Sequence, residues 1–490
     1  MSFSVPQPLR CGPFTVYLQA IEGCADLKKI AQNLQSQQPV IWFDSARQHP
    51  QTGRWSILGS HPWLTFIARG ETAEYRTTAA TRRLRLSPLE ALREVLKRYE
   101  LPPLGAAHSR MLGLMGYLSY EVNRWIERLP PPKPGNNIPE MVWYGMKRVW
   151  LVDHQEKQTW LLSLVDPHAP LPAAASAAGE ALEAMGQLMQ SQLPQPSPAI
   201  SAAGTAPNIQ PTTTQAEFEN SVNQALGYIR SGEIFQANLS QRFTARWDAP
   251  AWPLYENLRA INPSPFACWF SCEELTVVSS SPERLVRVQE GWVDTRPIAG
   301  TRPRGVSADE DELKRLELLL SEKERAEHIM LVDLARNDLG RVCRPGSVSV
   351  NELMSLEAYS HVNHIVSDVI GRLQKSADSV DVIQAVFPGG TITGCPKVRC
   401  MEIVHQLEPV ARGLYTGSLG LIGFDGTLDL NIAIRTMVIA NNQLSFHVGA
   451  GIVADSKPAR EYEETLAKAA ALMAAIEKTQ ESPEDCHARC

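Results

Sequence analysis

The sequence predicts a mixed α/β protein in which antiparallel strands form the layers and helices pack outside them. Runs of β-branched and aromatic residues recur along the 490-residue chain and alternate with helical stretches. Several strand pairs are joined by turns too short for the crossover between parallel strands, so we expect antiparallel pairing. With 44% apolar and 20% charged residues, the chain can fill a large core, as two regions or as one composite fold.

Residues 1–167 form a predicted N-terminal region. Strand-like runs occur at PVIWFD (39–44), WLTFIA (63–68) and RVWLVD (148–153). A stretch with helical periodicity lies at Pro88–Tyr99. Because strand-like and helical hydrophobic patterns both occur here, we expect strands and a helix in this region.

Residues 168–214 predict a flexible linker. The segment is rich in Ala, Pro, Ser, Gln and Thr and contains few large apolar side chains. A short helix around Gly179–Ser191 fits inside it, but the flanks lack the apolar surface that would offset the entropy of ordering.

Residues 215–478 form a second predicted region, in which glycine-punctuated strands are dense, and a polar tail follows at 479–490. The strand-like runs include the pair LYTGSLGLIGF (414–424) and NIAIRTMVIA (431–440), and the run LSFHVGAGIVA (444–454). The helical patterns in this region are Gln215–Ser231, Glu310–Leu320, Ser321–Leu339, Asp381–Val386 and Ala459–Lys478.

Charge, cysteine usage and hydropathy exclude several classes of function. The net charge of -6 comes from interspersed signs, and without a basic stripe the chain is not expected to bind nucleic acid. Its start lacks the features of a signal peptide and no 18-residue apolar run follows, so no membrane association is expected. The nine cysteines form no CxxC pair, which is typical of reduced thiols in a cytoplasmic protein.

Two pairs of glutamates, each three residues apart near a helix start, are candidate metal ligands. Glu324 and Glu327 follow Ser321, and Glu461 and Glu464 precede a lysine one turn later. Oxygen-only carboxylates suit Mg²⁺, which takes one or two protein ligands beside substrate and water. The alternative is that each pair is structural: a capping box in the first case, and a favourable helix dipole with a surface ion pair in the second.

A histidine and several glycine clusters could complete a site. His364 lies in a strand-like run, and its near-neutral titration makes it an acid/base candidate if it faces a pocket, although a lone histidine is more often structural. Glycines at 388–397, 415–420 and 449–453 let backbone amides approach an anion, or alternatively mark hairpin turns. With Arg435 and Lys468 they could hold carboxylates.

Seven motifs follow one another across 215–478: SPERL (281–285), RPIAGTRPRG (296–305), SEKERAEHIMLVDLARNDLGR (321–341), PGGTITGCPK (388–397), TGSLGLIGFDG (416–426), IAIRT (432–436) and GAGIVADS (449–456). Together they resemble the chorismate-using enzymes. That family includes component I of anthranilate synthase and of aminodeoxychorismate synthase, and the isochorismate and salicylate synthases.

The resemblance implies a fold of the anthranilate synthase component I type, a large sandwich of two antiparallel β-sheets with outer helices. It also extends into residues 1–167, where FDSARQHPQTGRWSILGSHP (43–62) and GYLSYEVNRW (116–125) are similar to the first region of the amidotransferase-dependent members. Residues 215–478 would then be the chorismate-binding catalytic region.

The resemblance also implies roles for individual residues. Glu327 and Glu464 correspond to Mg²⁺ ligands, and Glu324 and Glu461 to the carboxylates beside them. Glu283 matches the acid that protonates the departing C4 hydroxyl of chorismate, and His364 matches the active-site histidine. The groups implied to bind substrate are Thr391, Tyr415, Arg435, Gly449, Ala450, Gly451 and Lys468.

Two positions bear on which reaction the chain carries out. Gln236 stands where the isochorismate and salicylate synthases resemble one another in having a lysine that activates water, and because an amide cannot deprotonate water, ammonia is the expected nucleophile. QANLSQ (236–241) and DLNIAIRT (429–436) resemble the aminodeoxychorismate branch. Ala299 departs from the PIKGT form common in that branch, whose lysine attacks ring C2, so ammonia or another group would have to take that step.

The expected reaction is therefore amination of chorismate to 4-amino-4-deoxychorismate for folate synthesis, with anthranilate formation for tryptophan as the alternative. A non-catalytic relative that only binds the ligand is a third hypothesis, but the four glutamates, Glu283 and Lys468 are all present. No Gly-x-Cys-x-Gly elbow occurs, so ammonia would come from a separate glutamine amidotransferase subunit. Ser45 and Trp55 lie in the segment that resembles a tryptophan-binding region.

Overall fold

The computed structural model describes residues 6–48, 52–135, 137–191, 208–358 and 362–480. Within them, 23 strands are joined by antiparallel pairing. The strands are β1 (Leu9–Cys11), β2 (Phe14–Glu22), β3 (Val40–Asp44), β4 (Trp55–Arg69), β5 (Thr72–Thr77), β6 (Thr81–Leu84), β7 (Gly113–Leu118), β8 (Met141–Asp153), β9 (Gln158–Val165), β10 (Gln210–Pro211), β11 (Gln236–Arg246), β12 (Phe266–Ser271), β13 (Thr276–Ser281), β14 (Arg284–Gln289), β15 (Trp292–Thr295), β16 (Ile298–Pro303), β17 (Ser349–Ala358), β18 (Val362–Arg372), β19 (Gly394–Cys395), β20 (Ser418–Gly423), β21 (Leu428–Asn431), β22 (Thr436–Ala440) and β23 (Gln443–Ile452).

Helices connect the strands and cover the outside of the sheets. Two short 3₁₀ helices lie at Tyr120–Trp125 and Gly390–Ile392. The α-helices are α1 (Leu27–Leu34), α2 (Pro88–Arg98), α3 (Ala106–Met111), α4 (Leu171–Gln190), α5 (Gln215–Arg230), α6 (Ala251–Ile261), α7 (Ala308–Leu320), α8 (Glu322–Gly340), α9 (Ser379–Val386), α10 (Lys397–Leu407) and α11 (Pro458–Gln480).

The strand pairings trace two large antiparallel sheets, which confirms the predicted fold class. The first runs β1-β2-β9-β8-β4-β3-β12-β13-β22-β23-β11-β10, with β19 also paired to β11. The second runs β6-β5-β4-β8-β7-β20-β21-β14-β15-β18-β17, with β16 beside β15 on β18. The long strands β4 and β8 belong to both sheets.

The largest core cluster contains side chains from both sheets. Phe14, Ile41 and Phe270 contribute from the first sheet, and Leu285 and Leu430 from the second. A second cluster packs α1, α4, α6 and α11 against the first sheet. The apolar residues of the strands therefore fill the space between the sheets, while the amphipathic helices cover an outer face.

The two regions predicted from the sequence form one composite fold. Strand β3 of the N-terminal region pairs with β12, and β7 pairs with β20. Each sheet therefore draws strands from both sides of residues 168–214. Residues 1–167 and 215–478 are therefore not separate folding units, and the predicted boundaries between them stay predictions.

The predicted flexible linker needs correction over its first half. Leu171–Gln190 form helix α4, which buries Leu182 and Met185 and packs on β9. The short helix predicted around Gly179–Ser191 is present as part of α4, which begins eight residues earlier. The linker prediction relied on the scarcity of large apolar residues, but Ala is the strongest helix former and its small side chain allows close packing on a sheet. Residues 192–207 lie outside the described residues.

All six predicted helices are present with small differences at their ends. The prediction Ser321–Leu339 corresponds to α8 and Ala459–Lys478 to α11. The prediction did not identify α1, α3, α6 or α10. Helix α10 begins at Lys397, the last residue of the cluster PGGTITGCPK, whose glycines had been interpreted as an anion-binding backbone or a hairpin turn.

The remaining general expectations can be compared with the described residues. The cysteines there are free thiols; Cys268 is buried in β12, and Cys272 is buried just after that strand ends. Cys486 and Cys490 lie in the tail outside the described residues. None of the helices in the described ranges is both long enough and apolar enough to span a bilayer.

Candidate active site

The acidic cluster begins at the N-terminus of α8. Ser321 caps this helix by accepting a hydrogen bond from the Glu324 backbone N–H at 3.4 Å, so half of the predicted capping box is present. The Glu324 carboxylate does not complete the box and instead accepts a hydrogen bond from Arg302 at 3.0 Å. Glu327, one turn later, accepts a hydrogen bond from the side-chain amide of Gln236 on β11 at 2.9 Å.

The N-terminus of α11 lies beside that of α8. Lys323 of α8 forms an ion pair of 2.9 Å with Asp455, which lies just before α11. The negative charge of Glu464 contributes to the raised pKa of Glu327, so the two side chains are close enough to interact. The two helix starts that carry the predicted glutamate pairs are therefore neighbours, and a shared metal ion stays a prediction.

The carboxylates of this cluster repel one another. Burial raises the pKa of Glu327, and the negative charge of Glu324 raises it further. Burial also raises the pKa of Glu461, with a smaller contribution from the charge of Glu464. Each shift means that the charged carboxylates are held in an unfavourable environment, which a bound cation would relieve.

The donor set fits Mg²⁺ as a partial set of ligands. In the described ranges, no group of three or more His, Cys, Asp or Glu side chains surrounds one point, so the protein does not form a closed metal cage. Mg²⁺ commonly takes one or two carboxylates and completes its shell with water and substrate oxygens. An open set of carboxylates is compatible with this coordination by Mg²⁺, and the assignment of Glu324, Glu327, Glu461 and Glu464 as ligands stays a prediction.

Glu283 is a buried carboxyl group whose pKa is raised towards neutrality. It lies just before β14, is 5% exposed, and accepts a 2.7 Å hydrogen bond from the Thr391 hydroxyl. Burial raises the pKa of Glu283 to about 7, against the opposing effects of that hydrogen bond and of the charges of Arg435 and Lys468. Glu283 can therefore donate a proton to a bound substrate.

His364 is a neutral imidazole in the same site. It lies on β18, where its Nδ1 is 3.1 Å from the Gly300 carbonyl oxygen. Because a carbonyl can only accept, Nδ1 carries the hydrogen and Nε2 keeps a lone pair. Burial lowers the pKa of His364 to about 4, and the charges of Arg435 and Lys468 act in the same direction.

Gly300 allows this arrangement of β16. Its φ of +67° is in the left-handed region, and it lies at the irregularity where β16 and β18 shift register. A side chain built there would also approach Glu324 to 3.0 Å. The preceding residue, Ala299, is buried on the same strand and pairs with Ile365.

The predicted carboxylate-holding groups gather around β23. Lys468 donates a hydrogen bond to the Gly449 carbonyl at 2.9 Å and pairs with Glu464 at 2.8 Å. A side chain at Gly449 would lie 2.7 Å from the Tyr415 hydroxyl, so this close approach requires glycine. Arg435 influences both Glu283 and His364 through its charge.

Gly451 and Ala450 are neighbours on β23, but they have different surroundings. A side chain at Gly451 would lie 2.7 Å from the amide nitrogen of Gln236. The Ala450 side chain belongs to a small core cluster with Phe218 and Leu239, so it faces the core. Only the main chain of Ala450 is available to a ligand.

Ser45 and Trp55 line a separate pocket of about 380 Å³. The Ser45 hydroxyl donates a 2.6 Å hydrogen bond to the Trp55 carbonyl, and the guanidinium groups of Arg54 and Arg110 lie over the Trp55 ring at 4.6 and 4.8 Å. Arg284, which follows Glu283, also lines this pocket. The pocket is lined by charged and aromatic side chains, which suit a zwitterionic aromatic ligand. Tryptophan binding stays a prediction.

Two residues that contact the acidic cluster were not identified from the sequence. Arg302 binds Glu324, and Lys323 links the two helix starts through Asp455. Arg302 belongs to the motif RPIAGTRPRG, which forms a strand interrupted by a glycine. Its position in this motif was the signal that could have identified it as a neighbour of the site. Lys323 lay within the acidic helix start but looked like a surface residue.

Comparison with known proteins agrees with this geometry. The family model described as chorismate binding enzyme matches residues 38–474. Aminodeoxychorismate synthase component 1 of Bacillus subtilis is 39% identical over 464 residues, covering 93% of this chain and 95% of that protein. Anthranilate synthase component 1 of Synechocystis sp. is 40% identical over 465 residues, covering 90% and 91%.

A solved structure supports the same fold. The crystal structure of anthranilate synthase component I from Streptococcus pneumoniae superposes with a TM-score of 0.75 at 30% sequence identity. The match covers 87% of this chain and 93% of that chain. The two-sheet architecture is therefore shared over nearly the whole length.

Proposed function

The chain belongs to the chorismate-binding enzyme family, and from this membership we propose that it aminates chorismate to 4-amino-4-deoxychorismate with ammonia from a separate glutaminase subunit. The observation that carries the proposal is the buried Glu283, whose pKa is raised to about 7 and which lies close enough to Arg435 and Lys468 to be affected by their charges. Chorismate bears two carboxylates and a hydroxyl that leaves only when it is protonated. Arg435 and Lys468 would bind the anionic groups, while Glu283 supplies the proton.

The proposed reaction has two displacements. Ammonia adds to ring C2, the C4–O bond breaks, and the hydroxyl leaves as water with the proton of Glu283. A second ammonia then adds to C4, and the C2 nitrogen leaves as ammonia after a proton returns to it. Ala299 has no amine, so the nucleophile in the first step is ammonia rather than the side chain.

Ammonia rather than water is supported by Gln236. Its amide nitrogen donates a hydrogen bond to Glu327. This bond fixes the orientation of the amide group. An amide is not basic enough to deprotonate water, whereas ammonia needs no deprotonation before it attacks. We infer that the site selects a nucleophile that is already reactive.

Glu327 and Glu464, with Glu324 and Glu461 beside them, would hold Mg²⁺. When bound, Mg²⁺ supplies positive charge to a substrate carboxylate. The protein's own contribution is to carry these carboxylates on the neighbouring starts of α8 and α11. Arg302 and Lys323 limit their mutual repulsion.

Anthranilate formation is the second candidate. It is favoured by Ala299, because that reaction needs no lysine at this position, and relatives of comparable similarity carry either name. In anthranilate formation the first displacement is the same, but the C2 nitrogen stays and pyruvate is eliminated. The two candidates therefore differ only after the first amination.

A product assay separates the two candidates. Purified protein is mixed with chorismate, Mg²⁺ and ammonium, and products are separated by chromatography with and without an added aminodeoxychorismate lyase. We expect 4-aminobenzoate only after the lyase is added. Fluorescent anthranilate in the absence of lyase would instead assign the second function, and no aminated product under either condition would reject both.

The proposal also names a protein partner and a regulatory ligand. The name of the Bacillus subtilis relative, component 1, implies a second component for that protein, and we propose the same for this chain. We further propose that the pocket containing Ser45 and Trp55 binds tryptophan. Cytoplasmic location follows from this metabolic role.

A further inference from the structure

Arg412 and Glu408 form a buried ion pair outside the set of site residues described above. The Arg412 side chain is 1% exposed and that of Glu408 is 7% exposed. The pair is bidentate: the Arg412 Nε donates to one carboxylate oxygen at 2.8 Å, and Nη2 donates to the other at 2.7 Å. The Glu408 carboxylate also accepts hydrogen bonds from the backbone N–H and the hydroxyl of Ser240 on β11, both at 2.8 Å. The ion pair is therefore fixed to the sheet.

The guanidinium group of Arg412 connects three segments that border the site. It donates to the backbone carbonyl of Asn238 on β11 at 2.6 Å and to that of Ile392 at 3.2 Å. Its remaining hydrogen bond goes to the Thr416 hydroxyl at 3.2 Å. Each of these three segments carries a predicted site residue within two positions of the contact.

Tyr415 is the predicted substrate-binding residue that Arg412 contacts directly. The guanidinium carbon lies 5.6 Å from the centre of the Tyr415 ring, and the same ring stacks on the His447 imidazole at 5.2 Å. The Thr416 hydroxyl donates a 2.6 Å hydrogen bond to the Tyr415 carbonyl, so the main chain is restrained as well. The Tyr415 hydroxyl points towards Gly449, where a side chain would approach it to 2.7 Å.

The N-terminal region restrains the backbone that follows Arg412. The guanidinium carbon also lies 4.8 Å from the centre of the Tyr120 ring. The Tyr120 backbone N–H donates to the Gly413 carbonyl at 2.8 Å, and the Gly413 N–H donates to the Glu121 carboxylate at 3.2 Å. Tyr120 and Glu121 begin the 3₁₀ helix in the motif GYLSYEVNRW, so this motif supports the segment that leads into Tyr415.

Stability alone is a poor explanation for this ion pair. Burying two charges costs desolvation free energy that their attraction barely offsets, and apolar side chains of similar volume often serve as well. What apolar side chains lack is direction. A guanidinium group has five N–H donors in a fixed plane, and all five of those of Arg412 have acceptors here.

We propose that Arg412, held in place by Glu408, is a positioning residue that fixes Tyr415 for binding a carboxylate of chorismate. Its five donors are all used within the protein, so Arg412 acts through Tyr415 rather than on the substrate itself. The inference rests on the proposed function, because it takes the Tyr415 hydroxyl as a contact to chorismate. It does not depend on which aminated product is formed.

Arg412→Lys tests the proposal because it keeps the charge and removes the planar set of donors. We expect the KM for chorismate to rise about tenfold with kcat within about threefold, since binding is lost equally from the ground and transition states. The KM for ammonium should stay within about twofold. A folded variant whose KM for chorismate is unchanged would overturn the proposal.

Arg93→Lys is the matched control for the loss of a bridging guanidinium. Arg93 lies on α2, is mostly buried, and pairs with Asp378 and Asp381 at the start of α9. This change should lower the melting temperature without altering the KM for chorismate. If Arg93→Lys raised the KM for chorismate as much as Arg412→Lys does, the effect would be general destabilisation and the proposal would fall.

A double-mutant cycle distinguishes positioning from a purely structural role. Tyr415→Phe removes the hydroxyl through which Arg412 is proposed to act. In the Tyr415→Phe background, Arg412→Lys should therefore raise the KM for chorismate by less than about twofold, because the effects of coupled residues do not add. The same tenfold rise in both backgrounds would show that Arg412 does not act through Tyr415.

Thr416→Val provides a test that leaves the buried charges in place. Valine is β-branched like threonine but cannot accept the hydrogen bond from Arg412 or donate one to the Tyr415 carbonyl. We expect it to raise the KM for chorismate by about threefold or more relative to Thr416→Ser, which keeps the hydroxyl. Equal KM values for the two variants would contradict the proposal even if Arg412→Lys failed to fold.

The outcomes separate this inference from the proposed function. If the parent protein makes no aminated product, the proposed function fails, and the same cycle is then measured as the affinity for chorismate by calorimetry in the presence of Mg²⁺. If the parent makes the product but the effects of Arg412→Lys and Tyr415→Phe simply add, the positioning role alone fails. A parent protein that binds no chorismate would overturn both.

Discussion

At the scale of single residues, Glu283 links catalysis to stability. Its buried carboxyl group has a pKa of about 7, well above the ordinary value of 4.5. The folded protein therefore binds this proton more tightly than the unfolded chain does. The resulting stabilisation is fully present below pH 4.5 and is lost as the pH rises through about 7.

Glu283→Gln should lower turnover by about 10²- to 10⁴-fold, because the amide cannot protonate the leaving hydroxyl. The same change should raise the free energy of unfolding at pH 8 by up to about 3 kcal/mol, because no carboxylate remains to be buried. Near pH 4 the two proteins should have equal stability. Denaturant unfolding at both pH values, beside the rate assay, checks this, and equal stability at pH 8 would contradict the raised pKa.

Glu327→Gln should abolish Mg²⁺-dependent turnover while the protein stays folded. Mg²⁺ should raise the melting temperature of the parent protein through binding to the folded state, and this shift should be smaller in the variant. Glu463→Gln is the control, since Glu463 is an exposed carboxylate at the start of the same α11. A variant that keeps both the Mg²⁺-dependent rate and the thermal shift would remove Glu327 from the metal assignment.

Sequence reasoning worked best for residues with distinctive chemistry and spacing. The structure brings Glu283, His364, Arg435 and Lys468 into one site, although their roles stay predictions. The capping-box interpretation of Glu324 was half correct, because local spacing cannot show that Arg302 competes for its carboxylate. Such a partner comes from a different strand, so its identity depends on the tertiary fold.

At the scale of elements, α4 shows how composition can mislead. A long stretch of Ala, Ser and Gln resembles a linker in composition, but it also has high helix propensity. The structure packs this helix on β9 and buries Leu182 completely. A sequence window cannot show that a sheet is available for small side chains to pack on.

Leu182→Ala should lower the free energy of unfolding by about 2–4 kcal/mol, because it leaves a cavity between α4 and the sheet. Leu171→Ala on the same helix should cost under about 0.5 kcal/mol, because Leu171 is 63% exposed. Denaturant unfolding of both variants gives the comparison. If both variants lost equally little free energy of unfolding, the packing of α4 on the sheet would not contribute to stability.

Helices α8 and α11 were predicted within two residues at each end. Their N-termini could be proposed to meet only because the motifs resembled a family, since 137 residues separate Glu327 from Glu464. The structure brings the two starts together and adds the Lys323–Asp455 ion pair. Helical periodicity predicts where an element lies in the chain, but not which distant element it meets.

At the scale of the whole molecule, both regions of the chain contribute strands to both sheets. The antiparallel two-sheet class was predicted, but the exchange of strands through β3–β12 and β7–β20 was not. These pairings join residues far apart in sequence, and many strands in the chain have suitable hydrophobic patterns. Pattern and turn length restrict the class of fold more strongly than they restrict strand order.

Fragments 1–191 and 208–490 should each fail to fold alone but should form an active complex when they are co-expressed. Each fragment by itself leaves edges of both sheets unpaired, whereas the pair restores every described strand contact. Gel filtration and the chorismate assay on the co-expressed fragments check this. A fragment 208–490 that is soluble, folded and active alone would contradict the composite fold.

Strands β4 and β8 connect the two sheets mechanically, because both strands belong to both sheets. They run side by side through both layers, held by hydrogen bonds from Trp55 opposite Asp153 to Ala68 opposite Met141. Because the same two strands run through both layers, this ladder of backbone hydrogen bonds ties the position of one sheet to that of the other.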